Sequence, residues 1–394
     1  LWIAAEIRLE STMTAVQSPK QVMLVVGEAS GDVHGAQLVE ALLEREPELL
    51  LFGVAGEQLQ KLRFDRLVSA SEIAAMGLVE LAGNLKNIWS AYQLLRRALR
   101  ERKPKLLVLI DFPEINLRLA RAAKRLGIPV LYYISPQIWA WRKGRVRQIA
   151  RWVDRMAVVF PFEAGFYQTH GVSVTFVGHP LLDTVRVTES RDAVLAKLGL
   201  DAEKPVIALL PGSRRGEVAY HLPVMAEAAA QLRRDRDIQF LCVCASTIDP
   251  GMLKSGLRRA GVNIPIVERG RYDAVNAAEL VWTASGTSTL ESALLLKPMV
   301  IVYRLSRLTY WLARLLVRVE HIGMVNLIAG ERLVPELVQS KLHPEAIVEE
   351  SRRILDRPEI RCRIVAKLSN LRNQLGAPGA AGRVAELALT MMRS

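Results

Sequence analysis

The chain has 394 residues, 51% of them hydrophobic, more than one ordinary core accommodates, so two domains with sizeable interiors are expected. Lysine and arginine number 53 against 40 acidic residues, a formal net charge of +13 that implies a polyanionic partner: nucleic acid, an anionic membrane face or a phosphorylated substrate. Its three cysteines, Cys242, Cys244 and Cys362, exclude a metal cluster built from cysteine alone and suit a reducing cytoplasm.

Residues 1–20 read as a non-native or disordered extension. LWIAAEIRLEST before Met13 carries acidic residues and no basic start, its apolar stretch is too short for a signal peptide or a span, and the native start is expected near Met13. Strand-like runs then alternate with amphipathic segments of helix length. VMLVVGE, LLLFGVAG, KLLVLID, VLYYISP, RMAVVFPF and VTFVGHP occupy residues 22 to 180; VIALLP, IQFLCVCA, IPIVERG, ELVWTASG and MVIVYR occupy 206 to 304. This is the βαβ pattern of parallel sheets covered on both faces, and the number of runs suggests two sheets. A charged stretch from about 183 to 204 reads as the linker. The expected organisation is an N-terminal domain over 21–184, a C-terminal domain over 185–378, and a helix over 379–394 able to pack back on the first domain. No internal repeat or low-complexity segment interrupts it.

In such α/β folds ligands sit at the carboxyl ends of the strands. The first half carries GEASGDVHGA there, with Glu28, Ser30, Gly31 and Asp32, then Asp111 in LVLIDFPEIN, then SPQIWAW. In the second half, LLPGSRRGEV places Gly212, Ser213 and Arg214 between a buried strand and a helix. A glycine turn there leaves backbone N–H groups pointing outward at a helix N-terminus, and Arg214 adds a bidentate fork: an anion site in outline, with a tight turn bearing solvated arginines as the alternative. In ASGTSTLE, the small residues Ser285, Gly286, Thr287 and Ser288 let backbone approach a phosphate, and Glu291, one turn on, is able to accept from two ribose hydroxyls. Phosphate first and ribose second is the order of a nucleotide.

GEASGDVHGAQLVEAL, IDFPEIN, SPQIWAWRKGRVRQI, FPFE, VGHP, LLPGSRRGEV, ASGTSTLE, MVIVYR and VNLIAGERLVPEL stand in an order and spacing that resemble the lipid-A-disaccharide synthases, from about Val22 to Leu337. The resemblance implies a GT-B fold, two Rossmann-like doubly wound parallel-sheet domains facing a cleft. It implies an inverting hexosyltransferase that joins UDP-2,3-diacylglucosamine to 2,3-diacylglucosamine 1-phosphate through a β-1,6 bond and releases UDP. Asp111 matches the first acid of the family's IDxPDFN and becomes the candidate general base, with a helix cap as the alternative role. Glu114 stands at the second acid and Ile115 replaces the aromatic, a departure that removes support for a second carboxylate. Arg214 and the turn amides would hold the diphosphate, with Gly212, Ser213, Ser285, Gly286, Thr287, Ser288, Glu291 and Asn326 around the UDP. Glu28, Ser30, Gly31 and Asp32 resemble the acceptor loop, a capped βα turn being the other reading. No cofactor and no metal are expected, and a homodimer is compatible with all of this.

Residues 76–97, MGLVELAGNLKNIWSAYQLLRR, place Met76, Leu78, Val79, Leu81, Leu85, Ile88 and Trp89 along a helix, with Lys86, Arg96 and Arg97 alongside. By pattern it packs on its own sheet. With the resemblance and the charge, part of it is expected to meet an anionic membrane surface, placing the protein in the cytoplasm on the inner face of the inner membrane. LTYWLARLLVRV, residues 308–319, is a second greasy, basic stretch too short to span. Scattered basic residues without an RNA- or DNA-binding signature argue against nucleic acid. Asp235-Arg236-Asp237 precedes a strand and reads as a solvated turn, not a metal-binding DxD; His179 with Asp183 lacks a third ligand. A peptidoglycan GlcNAc transferase-like enzyme or a UDP-sugar epimerase is the alternative within the fold, and a non-enzymatic basic lipid- or nucleic-acid-binding protein the alternative outside it.

Overall fold

The computed structural model describes residues 20–27, 29–74, 81–139, 143–306 and 321–393, and of residues 29, 74, 81–87 and 143 only the backbone. The first sheet contains β1 (Gln21–Val26), β2 (Leu50–Ala55), β3 (Asp65–Ser69), β4 (Leu106–Ile110), β5 (Val130–Tyr133), β6 (Arg155–Val158) and β7 (Val174–Phe176), in the order β3-β2-β1-β4-β5-β6-β7. The second contains β8 (Val206–Leu210), β9 (Gln239–Val243), β10 (Ile266–Val267), β11 (Leu280–Ala284), β12 (Met299–Tyr303) and β13 (Glu336–Val338), in the order β10-β9-β8-β11-β12-β13. The register pairs β1 with β2 and β4, and β8 with β9 and β11, all parallel. Each sheet therefore begins in its interior, winds to one edge, and returns to wind toward the other. The reversal lies between β1 and β4 in the first sheet and between β8 and β11 in the second, and such reversals open the crevice in which doubly wound folds bind ligands.

The strands read from the sequence are all present, because near-continuous apolar runs are what a sheet buried on both faces requires. β4 and β8 are buried over their whole length. β3 and β13 escape such a reading. β3, DRLVS, lies at a sheet edge with Asp65 and Arg66 exposed, and β13 has three residues, so neither carries the apolar run of a central strand.

Two compact units divide the chain, one running to Leu131 and resuming at Ala385, the other Tyr132–Val384. In the first, the helix Leu81–Arg102 turns Ala91, Leu95, Ala98 and Leu99 inward at helical spacing. In the second, Trp282 on β11 is wholly buried and donates its indole N–H to Ser351 Oγ at 2.8 Å, satisfying the one polar atom of a large apolar side chain. The charged stretch 183–204 is firmly attached to this unit. Asp273 accepts from the Thr188 and Glu189 amides at 2.6 and 3.0 Å, and Arg191 donates to the carbonyls of Ala277, Ala202 and Lys204. Asp183 accepts from the Gly379 and Ala380 amides at 2.7 and 3.2 Å, capping the helix Ala380–Arg393. The DxD-like turn holds surface ion pairs: Asp235 with Arg352, Arg236 with Asp356, Asp237 with Lys204.

Candidate functional site

At the reversal of the first sheet, β4 is followed by two consecutive left-handed residues, Asp111 at φ 49° and Phe112 at φ 42°. Left-handed backbone is unfavourable for both and worst for the bulky Phe112, so surrounding contacts must enforce it. Asn116 is one of them. From within the helix Pro113–Arg125, its buried Nδ2 donates to the carbonyls of Asp111 at 2.7 Å and Ile110 at 3.2 Å. Phe112 itself folds across the end of β1, where a Cβ on Gly27 would stand 2.1 Å from the Phe112 Cβ. The turn leaves Asp111 half-buried just beyond β4. Ile115 is buried in the core, whereas Glu114 is exposed on the first turn of its helix.

Across the same reversal, Ser30 is exposed and Gly31 is buried, its would-be Cβ 3.7 Å from Ile110 Cγ2. Glu28 lies outside the described residues. Asp32 is buried and accepts from the amides of Gly56, Gln58 and Leu59 at 2.8, 2.7 and 3.3 Å. Three amides on one carboxylate make Asp32 the anchor of the turn after β2.

At the reversal of the second sheet, Gly212 (φ 134°), Ser213 and Arg214 lead from β8 into the helix Arg215–Asp235. The expectation of outward-facing amides is not met at two positions: Ser213 N–H and Arg214 N–H both donate to Glu217 Oε2, at 3.0 and 3.3 Å. Glu217, three residues beyond the N-cap Arg214, closes the turn by accepting both amides, the half of a capping box that a carboxylate supplies. What the turn offers an anion is the Arg214 side chain, 72% exposed and 3.8 Å from Glu217 Oε1.

Beside it, Gly286 adopts φ 154°, ψ −159°, a conformation essentially restricted to glycine, and releases the helix Thr287–Leu294. First-turn amides of a helix have no intrahelical acceptor, so Thr287 and Ser288 present donors at the crevice. Their hydroxyl neighbours shape the turn: Ser285 Oγ donates to Ile322 O, Ser288 Oγ to Ala284 O and Thr289 Oγ1 to Gly286 O. Glu291 follows one turn on, buried, with burial raising its carboxyl above the usual range while Arg271 and the Tyr272 hydroxyl hold it as acceptor. Arg271 and Tyr272 carried no signal in the sequence, because they meet Glu291 only when the helix Arg271–Ala277 is packed beside the next one.

Asn326 is fully buried and engaged on every side: Nδ2 donates to Val334 O and Glu336 Oε1, and Oδ1 accepts from Val334 N–H. It fixes the loop over 322–336. The SPQIW residues, Ser135–Trp139, are held within the same unit: Trp139 Nε1 donates to Glu163 Oε1 at 3.1 Å, Phe160 N–H donates to Glu163 Oε2 at 3.1 Å, and Ser135 Oγ lies 2.6 Å from Tyr167 Oη. Burial pushes the Glu163 carboxyl up to about 7.

The sequence profile of the lipid-A-disaccharide synthetase family matches residues 22–374. The chain belongs to the lipid-A-disaccharide synthase family. The lipid-A-disaccharide synthase of Syntrophus aciditrophicus is 47% identical over 376 residues, covering 95% of this chain and 98% of that one. That of Geobacter sulfurreducens is 47% identical over 373 residues, covering 94% and 97%. Solved structures share the fold: Neisseria meningitidis UDP-GlcNAc 2-epimerase bound to UDP-GlcNAc has a TM-score of 0.64 at 13% identity, covering 94% of this chain and all (100%) of that one. Acinetobacter baumannii MurG has a TM-score of 0.57 at 17% identity, with coverage of 94% and 100%. The fold is accordingly GT-B, and membership of this synthase family makes the chain a glycosyltransferase of lipid A disaccharide synthesis.

Of the residues expected to touch acyl chains or membrane, Met76, Leu78 and Val79 lie outside the described residues, and Leu81 and Leu85 are described by backbone alone. Ile88 is half-buried. Trp89 is 55% exposed, its ring centroid 5.6 Å from that of Tyr92. Among the described residues no helix is long and apolar enough to cross a membrane, and no group of three His, Cys, Asp or Glu is placed to hold a metal ion.

Proposed function

We propose that the chain transfers 2,3-diacylglucosamine from its UDP derivative to the 6-hydroxyl of 2,3-diacylglucosamine 1-phosphate. The new β-1,6 bond forms between the acceptor oxygen and the anomeric carbon as the bond from that carbon to the diphosphate oxygen breaks. Asp111 accepts the hydroxyl proton. Arg214 and the first-turn amides of Thr287 and Ser288 gather the charge that develops on departing UDP, and Glu291 receives the ribose hydroxyls. Attack from the face opposite UDP inverts the anomeric centre, and the helix dipole with Arg214 takes the part a metal would otherwise play. Glu28, Ser30 and Gly31 line the acceptor side. Asp32 and Asn326 act through the backbone they hold, and Gly212 and Ser213 form the turn that carries Arg214.

The observation that carries this reading is the enforced left-handed turn at Asp111, in a chain with full-length kinship to these synthases. Strain of that kind persists where a surrounding structure over-determines it, and it gathers at catalytic groups. Acylated substrates require a membrane surface. The +13 charge and the exposed Trp89 suit peripheral attachment to the cytoplasmic face of the inner membrane, through Ile88, Trp89 and the residues before them.

The test is UDP release by the purified chain. Release from UDP-2,3-diacylglucosamine should require the monosaccharide phosphate, and NMR of the product should show a β linkage. Epimerisation of UDP-GlcNAc, or release without the acceptor, overturns the reading.

A further inference from the structure

His221 lies wholly buried on the helix Arg215–Asp235, two turns beyond Arg214, and its ring bridges two strand ends. Nδ1 is 2.8 Å from the Pro211 carbonyl, and the Arg304 N–H donates to Nε2 at 3.0 Å. A carbonyl only accepts and an amide N–H only donates, so the ring is the neutral tautomer with its proton on Nδ1. Pro211 follows β8 just before Gly212, Arg304 follows β12, and β11 with its Ser285–Ser288 turn lies between those strands.

The Arg304 end of this bridge is itself fixed. Its guanidinium donates to the carbonyls of Gln339 and Leu342, and the neighbouring Leu305 N–H donates to Gln339 Oε1 at 2.9 Å. The imidazole therefore ties the turn bearing Arg214 to an anchored point across the crevice.

We propose that His221 is a positioning residue for donor binding: by joining Pro211 to Arg304 as a neutral imidazole, it sets where the Gly212–Arg214 turn stands relative to the Ser285–Ser288 turn. The inference rests on the reading of these two turns as the diphosphate site. A buried two-sided bridge fixes geometry more tightly than the exposed ends of two loops would alone, and an anion clamp loses most of its effect when misplaced by about 1 Å.

The arrangement also predicts a pH signature. Protonation would put a proton on Nε2, facing the Arg304 N–H, and abolish that hydrogen bond. Burial holds the imidazole below its ordinary value. Around it, Glu217 on the same helix and the Pro211 carbonyl favour the protonated ring, whereas Arg304 at the end of β12 opposes it; the Tyr303 ring stands 6.4 Å away.

The experiment measures UDP affinity by calorimetry from pH 8 to pH 5 for the wild type, His221→Gln, His221→Ala and Arg214→Ala. A glutamine amide supplies one donor and one acceptor and does not titrate. His221→Gln should therefore keep the wild-type affinity at pH 8, and the ratio of wild-type to His221→Gln affinity should hold through neutral pH and fall only below the ordinary histidine range. Taking the ratio cancels the titration of UDP itself. His221→Ala should bind UDP on the order of tenfold more weakly at pH 8. A ratio that already falls at or above pH 6.5, which would mean a ring protonated near neutral pH, or an unchanged UDP affinity in folded His221→Ala, overturns the proposal. Should His221→Ala fail to fold, the ratio alone decides. Wild-type UDP affinity in Arg214→Ala overturns the underlying reading of the turn instead.

Discussion

Phe112 occupies the space a side chain on Gly27 would need: an added Cβ would stand 2.1 Å from the Phe112 Cβ and 2.2 Å from its Cγ. The ends of β1 and β4 are locked together by this contact, and Asp111 takes its place from it. Gly27→Ala should push Phe112 aside, release the left-handed turn and cost about 1–3 kcal/mol of stability, as overpacking does. Turnover should fall more than UDP affinity. Thermal unfolding beside single-turnover rates checks both parts, and a fully active Gly27→Ala would show that the turn tolerates displacement.

Asp111→Asn keeps the size of the side chain but cannot accept a proton. Turnover should slow by roughly 10²-fold or more while UDP affinity holds. Near-normal turnover, or a retained anomeric configuration with a trapped covalent sugar, would move the search for the base to Glu28 or Glu114.

The Glu291 carboxylate, held by Arg271 and Tyr272, should matter to the ribose and not to the phosphates. Glu291→Gln should weaken UDP by about 1–3 kcal/mol and leave pyrophosphate, as a competitor, unchanged. Equal weakening of both ligands would mean that Glu291 supports the phosphate turn.

Trp89 is more than half exposed on a helix whose buried face is Ala91, Leu95, Ala98 and Leu99. Trp89→Ser should leave unfolding and UDP binding intact and weaken association with anionic vesicles by about 1–3 kcal/mol, the scale of one large apolar side chain withdrawn from an interface. A large drop in melting temperature would identify Trp89 as core instead.

Glu163 offers a test through stability. Its folded-state value, about 7, stands above the ordinary 4.5, so the folded protein binds the proton more tightly than the unfolded chain. The stabilisation is complete below pH 4.5 and is lost as the pH rises through about 7. Between pH 5 and pH 8 the wild type should therefore lose stability relative to Glu163→Gln, as read by urea unfolding at each pH. Parallel pH profiles would show that the carboxyl titrates normally.

Much of this protein was already determined by local sequence. Apolar runs such as LLVLI and VIALL are buried on both faces because only a covered parallel sheet accommodates them, and glycine, small residues and Asp111 at strand ends mark where such sheets bind ligands. Tertiary structure decided what those residues do, since a side chain's role depends on partners that chain order does not bring close. Asp32 became an anchor because the amides of Gly56, Gln58 and Leu59 converge on it. Asn326 became the lock of its own loop, and Glu217 took the amides that had been expected to face an anion. His221 meets Arg304 across 83 positions, and Arg271 meets Glu291 across 20. Periodicity and turn chemistry act over a few residues and are legible along the chain; hydrogen bonds between distant strand ends exist only after the sheets have closed, and these select which of the polar side chains remain for chemistry.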